Sequence, residues 1–403
     1  MYYVSEYNIL VPSFYHLTPW YTFSIMERSG KQRIVLVGGG TGGHFYPLIA
    51  VAERLNAVKQ AGVISSLYYF GPEPYNPAAL AANNITFVRI PAGKHRKYFS
   101  LLNFLDPFKT FYGLFVAIFK LYSIYPDVVF SKGSFTSVPV VLAAWLLRIP
   151  IMIHESDSKA GSANKLAANF ARYIGIAYDE AAQFFPKEKI ALVGIPLRQS
   201  LMTPHPDPLQ ALNLPADRPL LFVIGGSLGS VRINNLILES LDELLPYFSI
   251  VHQTGLDNEA YVRSTAAELI RDTALLGNYF AKGSLTGEEM HLALSGASFV
   301  VSRAGSGSIF EIAHYGKPSI IIPIPEEISH DQRTNAYAYA RTGAASVLEE
   351  KNLTDGLLVA EITRIMTDPA IYERMSSAAK NFARHDAADV IAHTLLEIAS
   401  EHV

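Results

Sequence analysis

The sequence predicts an α/β protein built of two Rossmann-like, doubly wound domains that face an interdomain cleft. Three observations carry this expectation. Apolar, strand-like runs alternate with helical stretches from residue 34 onward. That series breaks at Met202-Thr-Pro-His-Pro-Asp-Pro-Leu209 and then restarts. Each series opens with a strand, a glycine-rich loop and a helix, the arrangement of doubly wound sheets. The ligands of such sheets bind beyond the carboxyl ends of the strands, so two facing domains would enclose a cleft.

In the first series the strand candidates are 34–38, 67–71, 86–90, 127–131, 150–154, 172–177 and 189–193. In the second they are 219–224, 249–253, 298–302, 319–323 and 345–348. The expected division is an N-terminal extension at 1–33, a first domain at 34–200, a linker at 201–209 and a second domain at 210–403. The amphipathic, Ala-rich C-terminal helix is expected to return to the first domain. At 403 residues the chain exceeds one typical core. With 50% hydrophobic residues, 17% charged residues and a net charge of −3, it is globular and carries no global signal for nucleic acid. The absence of cysteine excludes disulfides, thiolate metal sites and a cysteine nucleophile. No His/carboxylate cluster stands at metal-ligand spacing, so neither metal nor cofactor is expected.

Residues 1–33 are rich in aromatics, among them Tyr2, Tyr3, Tyr7, Phe14, Tyr15, Trp20, Tyr21 and Phe23, without a clear period or a continuous apolar span. Two readings stand: an upstream start with Met26 as the true one, or an appendage that packs on the surface or touches membrane.

The most informative stretch is Gly38-Gly39-Gly40-Thr41-Gly42-Gly43-His44, directly after Ile34-Val35-Leu36-Val37. Its glycines let backbone N–H groups approach an anion, and the following helix adds a favourable dipole. The spacing is neither a dinucleotide fingerprint nor a P-loop. His44 is a candidate base aimed at something bound over the glycines. A second loop, Gly225-Gly226-Ser227-Leu228-Gly229-Ser230, is suited to a diphosphate, or is a plain β/α turn with a serine cap. Glu311 follows Ser302-Arg303-Ala304-Gly305 in the first turns of a helix, where a carboxylate can accept ribose hydroxyls or merely complement the helix dipole. His330-Asp331-Gln332 and Asn335 crowd the exit of an apolar strand, where side-chain amides can read sugar hydroxyls or cap a helix. Lys132-Gly133-Ser134 and His154-Glu155-Ser156-Asp157 each follow a strand on the His44 edge; His154 reads as a hydrogen-bonded strand-end histidine. Finally, Lys94-His95-Arg96-Lys97 precedes an aromatic run through Phe119. Its basic start suits an anionic membrane surface, whereas Leu114–Phe119 reads as a core helix.

These motifs together resemble the bacterial UDP-N-acetylglucosamine–N-acetylmuramyl-(pentapeptide) pyrophosphoryl-undecaprenol N-acetylglucosamine transferases, the MurG family of GT-B fold, from about residue 34 to the C-terminal helix. The residues that carry the likeness are Gly39–His44 with Pro47, Gly133 with Pro139, His154-Glu155 with Asn164-Lys165, and Gly194-x-Pro196-x-Arg198. Gly225–Gly229, Arg303 through Glu311, and Gln332-x-x-Asn335 complete it.

The resemblance implies inverting transfer of GlcNAc from UDP-GlcNAc to the 4-hydroxyl of undecaprenyl-diphosphate-linked muramoyl-pentapeptide. No covalent intermediate, obligatory metal or cofactor is implied. The enzyme would act in peptidoglycan synthesis, peripherally at the cytoplasmic face of the bacterial inner membrane, on an anionic surface and without nucleic acid. His44 would be the base, and Gly40, Thr41, Gly42, Gly43, Lys132, Gly133 and Ser134 would contact the acceptor. Asn164, Arg198, Ser227, Gly229, Arg303, Glu311, Gln332 and Asn335 would hold the donor. Alternatives are a GT-B transferase of another sugar or acceptor, a UDP-sugar epimerase, and a noncatalytic UDP-sugar-binding paralogue. The chain departs from the family pattern at Lys132, Ser134, Ser156-Asp157, Ile195 and Leu228.

Overall fold

The computed structural model describes residues 32–60, 65–93, 102–226, 228–325 and 330–401. Residues 1–31 of the extension, the basic cluster Lys94–Lys97 and Ser227 lie outside the described residues. The chain divides into two compact units. One takes residues up to Arg198 together with those from His385, and the other is Gln199–Arg384.

The first unit is a parallel sheet of seven strands: β1 (Gln32–Val37), β2 (Ser65–Gly71), β3 (Ile85–Arg89), β4 (Val128–Ser131), β5 (Ile151–Glu155), β6 (Tyr173–Ile176) and β7 (Ile190–Leu192). Their spatial order is β3-β2-β1-β4-β5-β6-β7. A parallel sheet is covered on both faces, so its strands are continuous apolar runs rather than alternating ones. The period-2 pleat still sorts them. Ile34 and Leu36 join one core cluster with Leu48 and Leu55 of the helix Gly42–Gln60, and Val35 and Val37 join another with Ala117, Leu121, Val140 and Ala144.

The C-terminal helix Ala387–Glu401 belongs to this unit. Ile391, Leu395, Leu396 and Ile398 pack in the Ile34 cluster, and Asp389 pairs with Arg54 at 3.2 Å. The helix Leu102–Ile124 carries two stripes. Ala117 and Leu121 are buried in the core with Leu114 and Ile118 beside them, whereas Phe108, Phe111, Tyr112, Phe115, Phe119 and Tyr122 are exposed on another face. The core reading of 114–119 thus holds for Leu114 and Ile118 and fails for Phe115 and Phe119, because helical spacing turns them away from the sheet.

The second unit is a parallel six-stranded sheet: β8 (Leu220–Ile224), β9 (Ser249–Gln253), β10 (Tyr279–Lys282), β11 (Ala297–Arg303), β12 (Ser319–Ile322) and β13 (Ala345–Val347), in the order β10-β9-β8-β11-β12-β13. All of these strands correspond to apolar runs in the sequence except β10, a half-buried edge strand whose Tyr-Phe-Ala-Lys is too short to announce itself. The proline-rich stretch near 201–209 groups with this unit. The His205 amide donates to Ser295 Oγ at 2.8 Å, and the Tyr315 hydroxyl donates to the Leu201 carbonyl at 2.9 Å.

The C-terminal helix closes one face of the first sheet, so Leu395→Ala should cost about 2–5 kcal/mol of that unit's stability in denaturant unfolding. A cost below about 1 kcal/mol would show that the site collapses around the gap or that the helix is not seated there in solution.

Candidate functional site

In each sheet the strand order reverses once. In the first unit the chain runs from β1 outward to β3 and then crosses to β4 on the other side of β1. The carboxyl ends of β1 and β4 are register partners (Val37 with Ser131), and β5 follows beside β4 (Ser131 with Ile153). The loops after these three strands are therefore neighbours at the place where doubly wound sheets bind ligands.

The start of the loop after β1 is packed too tightly for a side chain at Gly38 or Gly39. Gly40 has φ +88°, and a Cβ on Gly39 would fall 2.5 Å from the Tyr69 hydroxyl, which donates to the Gly38 carbonyl at 3.0 Å. Thr41 then caps the helix Gly42–Gln60: its carbonyl accepts the His44 and Phe45 amides, each at 3.2 Å. Its Oγ1 lies 2.9 Å from His44 Nδ1. If Nδ1–H donates to Thr41, Nε2 keeps its lone pair and can take a proton. His44 retains partial exposure, yet burial and then the Lys132 charge push its pKa down to about 4, against an opposing effect of Asp157. It is therefore neutral at pH 7. Nearby, the Arg198 guanidinium stacks on Tyr46 with its centre 4.6 Å from the ring centroid.

Beside this loop, Gly133 (φ +82°) is held where a Cβ would meet Asn164 Oδ1 at 2.7 Å, and Ser134 also adopts a positive φ of 74°. The Lys132 side chain does not face outward. It is buried, and its ammonium donates to His154 Nδ1 and Ser156 Oγ. His154 Nε2 meets the Gly194 carbonyl at 2.7 Å, as a buried, bonded strand-end histidine should. Glu155 accepts from the Gly161 amide at 2.9 Å, the Asp157 amide at 3.0 Å and Asn164 Nδ2 at 3.0 Å, while burial and then the Asp157 charge push its carboxyl up. Asn164 is itself buried, and its amide also donates to the His154 carbonyl at 3.1 Å. Of the residues expected to touch ligands, Lys132 and Asn164 thus direct their side chains into the protein. The departures at Lys132, Ser156 and Asp157 meet in one cluster.

The second unit repeats the device at β8 and β11, whose ends pair as Ile224 with Ser302. In the loop after β8, Gly226 has φ +89° with open space beyond it, and Gly229 has φ +74° against the Thr254 carbonyl. Ser230 caps the helix Val231–Glu239 through the Ile233 amide. Arg303 is turned inward. It donates to Ser230 Oγ at 2.6 Å and the Pro323 carbonyl at 3.2 Å, and it pairs with Glu350 at 2.6 Å. It braces the loop. Asn335 does the same for the turn before the helix Ser306–His314, donating to Ser306 Oγ at 2.9 Å. Glu311, half-buried on that helix, lies close enough to add to the upward push that burial gives the Tyr315 phenol. Gln332, in the helix His330–Arg341, accepts the Ile324 amide at 3.4 Å. Nothing in the sequence signals the Arg198–Tyr46 stack, the Tyr69 brace or the Arg303–Glu350 pair, since each joins residues far apart in the chain.

Comparison with known proteins places this geometry in context. The glycosyltransferase family 28 N-terminal domain matches residues 34–176, and the glycosyltransferase family 28 C-terminal domain matches residues 220–391. A relative from Bacillus thuringiensis (strain Al Hakam), named UDP-N-acetylglucosamine–N-acetylmuramyl-(pentapeptide) pyrophosphoryl-undecaprenol N-acetylglucosamine transferase 3, is 33% identical over 369 residues, covering 91% of this chain and 99% of its own. The transferase of that name from Treponema denticola is 34% identical over 377 residues, covering 88% and 93%. Among solved structures, MurG of Acinetobacter baumannii superposes with a TM-score of 0.70 at 25% identity, over 91% of this chain and 99% of that one. A UDP-GlcNAc 2-epimerase from Neisseria meningitidis gives 0.67 at 16% identity over 91% and 100%, a likeness of fold alone. With a GT-B two-domain α/β fold, family 28 domains in both halves and a third of its residues shared with these transferases over nine-tenths of its length, the chain belongs to the MurG family of glycosyltransferases.

Proposed function

We propose that the protein transfers GlcNAc from UDP-GlcNAc to the 4-hydroxyl of undecaprenyl-diphosphate-linked muramoyl-pentapeptide, with inversion at the sugar's anomeric carbon. The observation that carries this reading is His44, neutral at pH 7, bonded to Thr41 and set at the helix terminus beyond β1. In a single displacement the acceptor oxygen bonds to the anomeric carbon as the bond to UDP breaks, and His44 Nε2 receives the hydroxyl proton. The amides of Gly42 and Gly43 and the helix dipole suit the acceptor diphosphate. The leaving diphosphate is assigned to the loop Gly225–Gly229 with the N-terminus of the helix Val231–Glu239. Glu311 is assigned to the ribose and Gln332 to the sugar. Arg303, Asn335 and Asn164, all buried, serve by holding loops in shape.

We assign the enzyme to the cytoplasmic face of the bacterial membrane, as a peripheral protein that requires no nucleic acid. No helix among the described residues is long and apolar enough to cross a membrane. The helix Leu102–Ile124, however, presents an aromatic stripe (Phe108, Phe111, Phe115, Phe119 and Tyr122) with Lys109 and Lys120 exposed beside it. Such a stripe suits a helix lying in an anionic interface.

Release of UDP should depend on a short-chain lipid-linked muramoyl-pentapeptide and yield the disaccharide lipid. Conversion of UDP-GlcNAc without acceptor would instead support an epimerase. His44→Ala should lower kcat by about 10²–10⁴-fold while UDP affinity stays nearly unchanged; equal loss of both would remove the base role. In co-sedimentation with vesicles containing phosphatidylglycerol, Phe111→Ser with Phe119→Ser should weaken binding by about tenfold or more, since each inserted aromatic contributes on the order of 1.5–3 kcal/mol. Unchanged binding would assign the membrane contact elsewhere.

A further inference from the structure

The turn that follows β9 lies against the glycine loop of the second unit. A Cβ on Gly229 (φ +74°) would fall 1.9 Å from the Thr254 carbonyl oxygen, and one on Gly255 (φ +89°) would fall 2.2 Å from that of Leu228. The two turns therefore touch backbone to backbone. Gln253 joins them again at the other end of the loop: its carbonyl accepts the Gly225 amide at 3.4 Å, and its Nε2 donates to the Gly226 carbonyl at 3.1 Å. Within the loop, the Gly229 amide donates to the Gly226 carbonyl at 3.0 Å. The place of the Thr254 carbonyl thus constrains the shape of the loop.

A series of polar side chains fixes that carbonyl. It accepts Asn234 Nδ2 at 2.9 Å, from the helix Val231–Glu239 that the loop leads into, and Asn258 Nδ2 at 3.1 Å. A carbonyl only accepts, so the Asn234 amide turns its nitrogen toward Thr254 and its oxygen the other way. That oxygen lies 3.1 Å from His252 Nε2, which must then carry the imidazole proton. Nδ1 is left as an acceptor, and the Tyr279 hydroxyl of the edge strand β10 stands 2.7 Å from it. Burial pushes His252 down to about 3 and the Tyr279 phenol up, so both keep the neutral forms that this order requires.

Asn234, His252 and Thr254 are buried, and polar groups are costly to bury unless each is bonded. Apolar side chains could fill the same space, but they would leave the Thr254 carbonyl with Asn258 alone. What the polar series adds is a fixed place for that carbonyl, and through it a loop shaped before its ligand arrives. Preorganised amides stabilise developing charge without rearranging at the moment of reaction.

We propose that Asn234, His252 and Tyr279 are positioning residues for the donor: through the Thr254 carbonyl they hold Gly226–Gly229 in the shape that receives the UDP diphosphate. The inference rests on the assignment of that diphosphate to the loop Gly225–Gly229.

The test measures UDP affinity by calorimetry in the full chain, together with separate KM values for UDP-GlcNAc and the lipid acceptor. Asn234→Leu should weaken UDP binding about tenfold or more and raise the UDP-GlcNAc KM alike, with the acceptor KM held within about twofold. Tyr279→Phe removes only the distal hydroxyl and frees His252 to change tautomer; it should weaken UDP binding about threefold. Imidazole nitrogen NMR should show His252 protonated at Nε2 in the unaltered protein and a mixture of tautomers in Tyr279→Phe. Unchanged UDP affinity in either folded variant, or an equal loss for donor and acceptor, would overturn the proposal. Gly226→Ala tests the assignment beneath it: the added methyl meets no protein atom within 4 Å, so it projects into the open space beyond the loop and should weaken UDP binding. If Gly226→Ala leaves UDP affinity unchanged, the loop does not hold the diphosphate and the inference falls with that assignment. If it weakens UDP binding while Asn234→Leu and Tyr279→Phe do not, the inference alone falls. Should neither of those two variants fold, the unaltered protein decides: His252 protonated at Nδ1 refutes the order of the series.

Discussion

Strand order reverses at β1/β4 and again at β8/β11, and the two glycine loops owe their positions to those reversals. At each reversal two neighbouring strands send their following chain in opposite directions, so the carboxyl ends between them are left uncovered by crossover helices. Backbone amides at the helix termini that begin there have no partner within the helix. An anion satisfies them and gains the helix dipole as well. Both glycine loops stand at such places. Their glycines are required by geometry: Gly229 lies against the Thr254 carbonyl and Gly39 against the Tyr69 hydroxyl, at distances a side chain cannot share.

From this constraint follows a division of labour among the polar residues. Few of them can face a ligand, because the loops are thin and most of the polar side chains around them are used to hold the loops. In the second unit Arg303 connects the cap of one helix to the Pro323 turn and to Glu350, and Asn335 holds the turn before another helix. In the first unit Asn164 and Glu155 tie the end of β5 to the 157–161 turn. A motif arginine or asparagine beside a phosphate loop is easily read as a ligand contact. Here these side chains are buried and bonded, and that favours the supporting role: removing one would leave its partners unsatisfied, at about 1–3 kcal/mol for each buried group.

Much of the fold was legible because parallel strands buried on both faces must be apolar throughout, and the runs at 34–38, 219–224 and 298–302 say so directly. β10 was not legible: as a half-buried edge strand of four residues it lacks that signature. Glycine spacing located the two loops and placed His44 at the end of one. What the sequence could not convey is the direction of side chains whose partners are distant in the chain. Lys132 looked like a ligand contact from its place after β4, and only the adjacency of β4 and β5 shows that it reaches inward to His154 and Ser156. The helix Leu102–Ile124 was ambiguous for a different reason. It is apolar on two stripes, and the sequence does not say which of them the sheet covers.

The buried cluster also bears on how substitutions are tolerated at this site. Lys132, Ser156 and Asp157 form one electrostatic unit, so the effect of changing one depends on the others. Asp157 alone would raise the pKa of His44, and Lys132 alone would be a buried ammonium with one carboxylate fewer to hold its proton. Ser156 supplies an acceptor of a length that meets the ammonium without displacing His154. A chain carrying a neutral residue at 132 would have no use for the hydroxyl at 156 and would feel the carboxylate at 157 uncompensated. These departures from the family pattern are therefore better understood as a matched set than as separate losses of substrate contacts. They leave the glycine-loop backbone and His44 in place while altering the charge beside them.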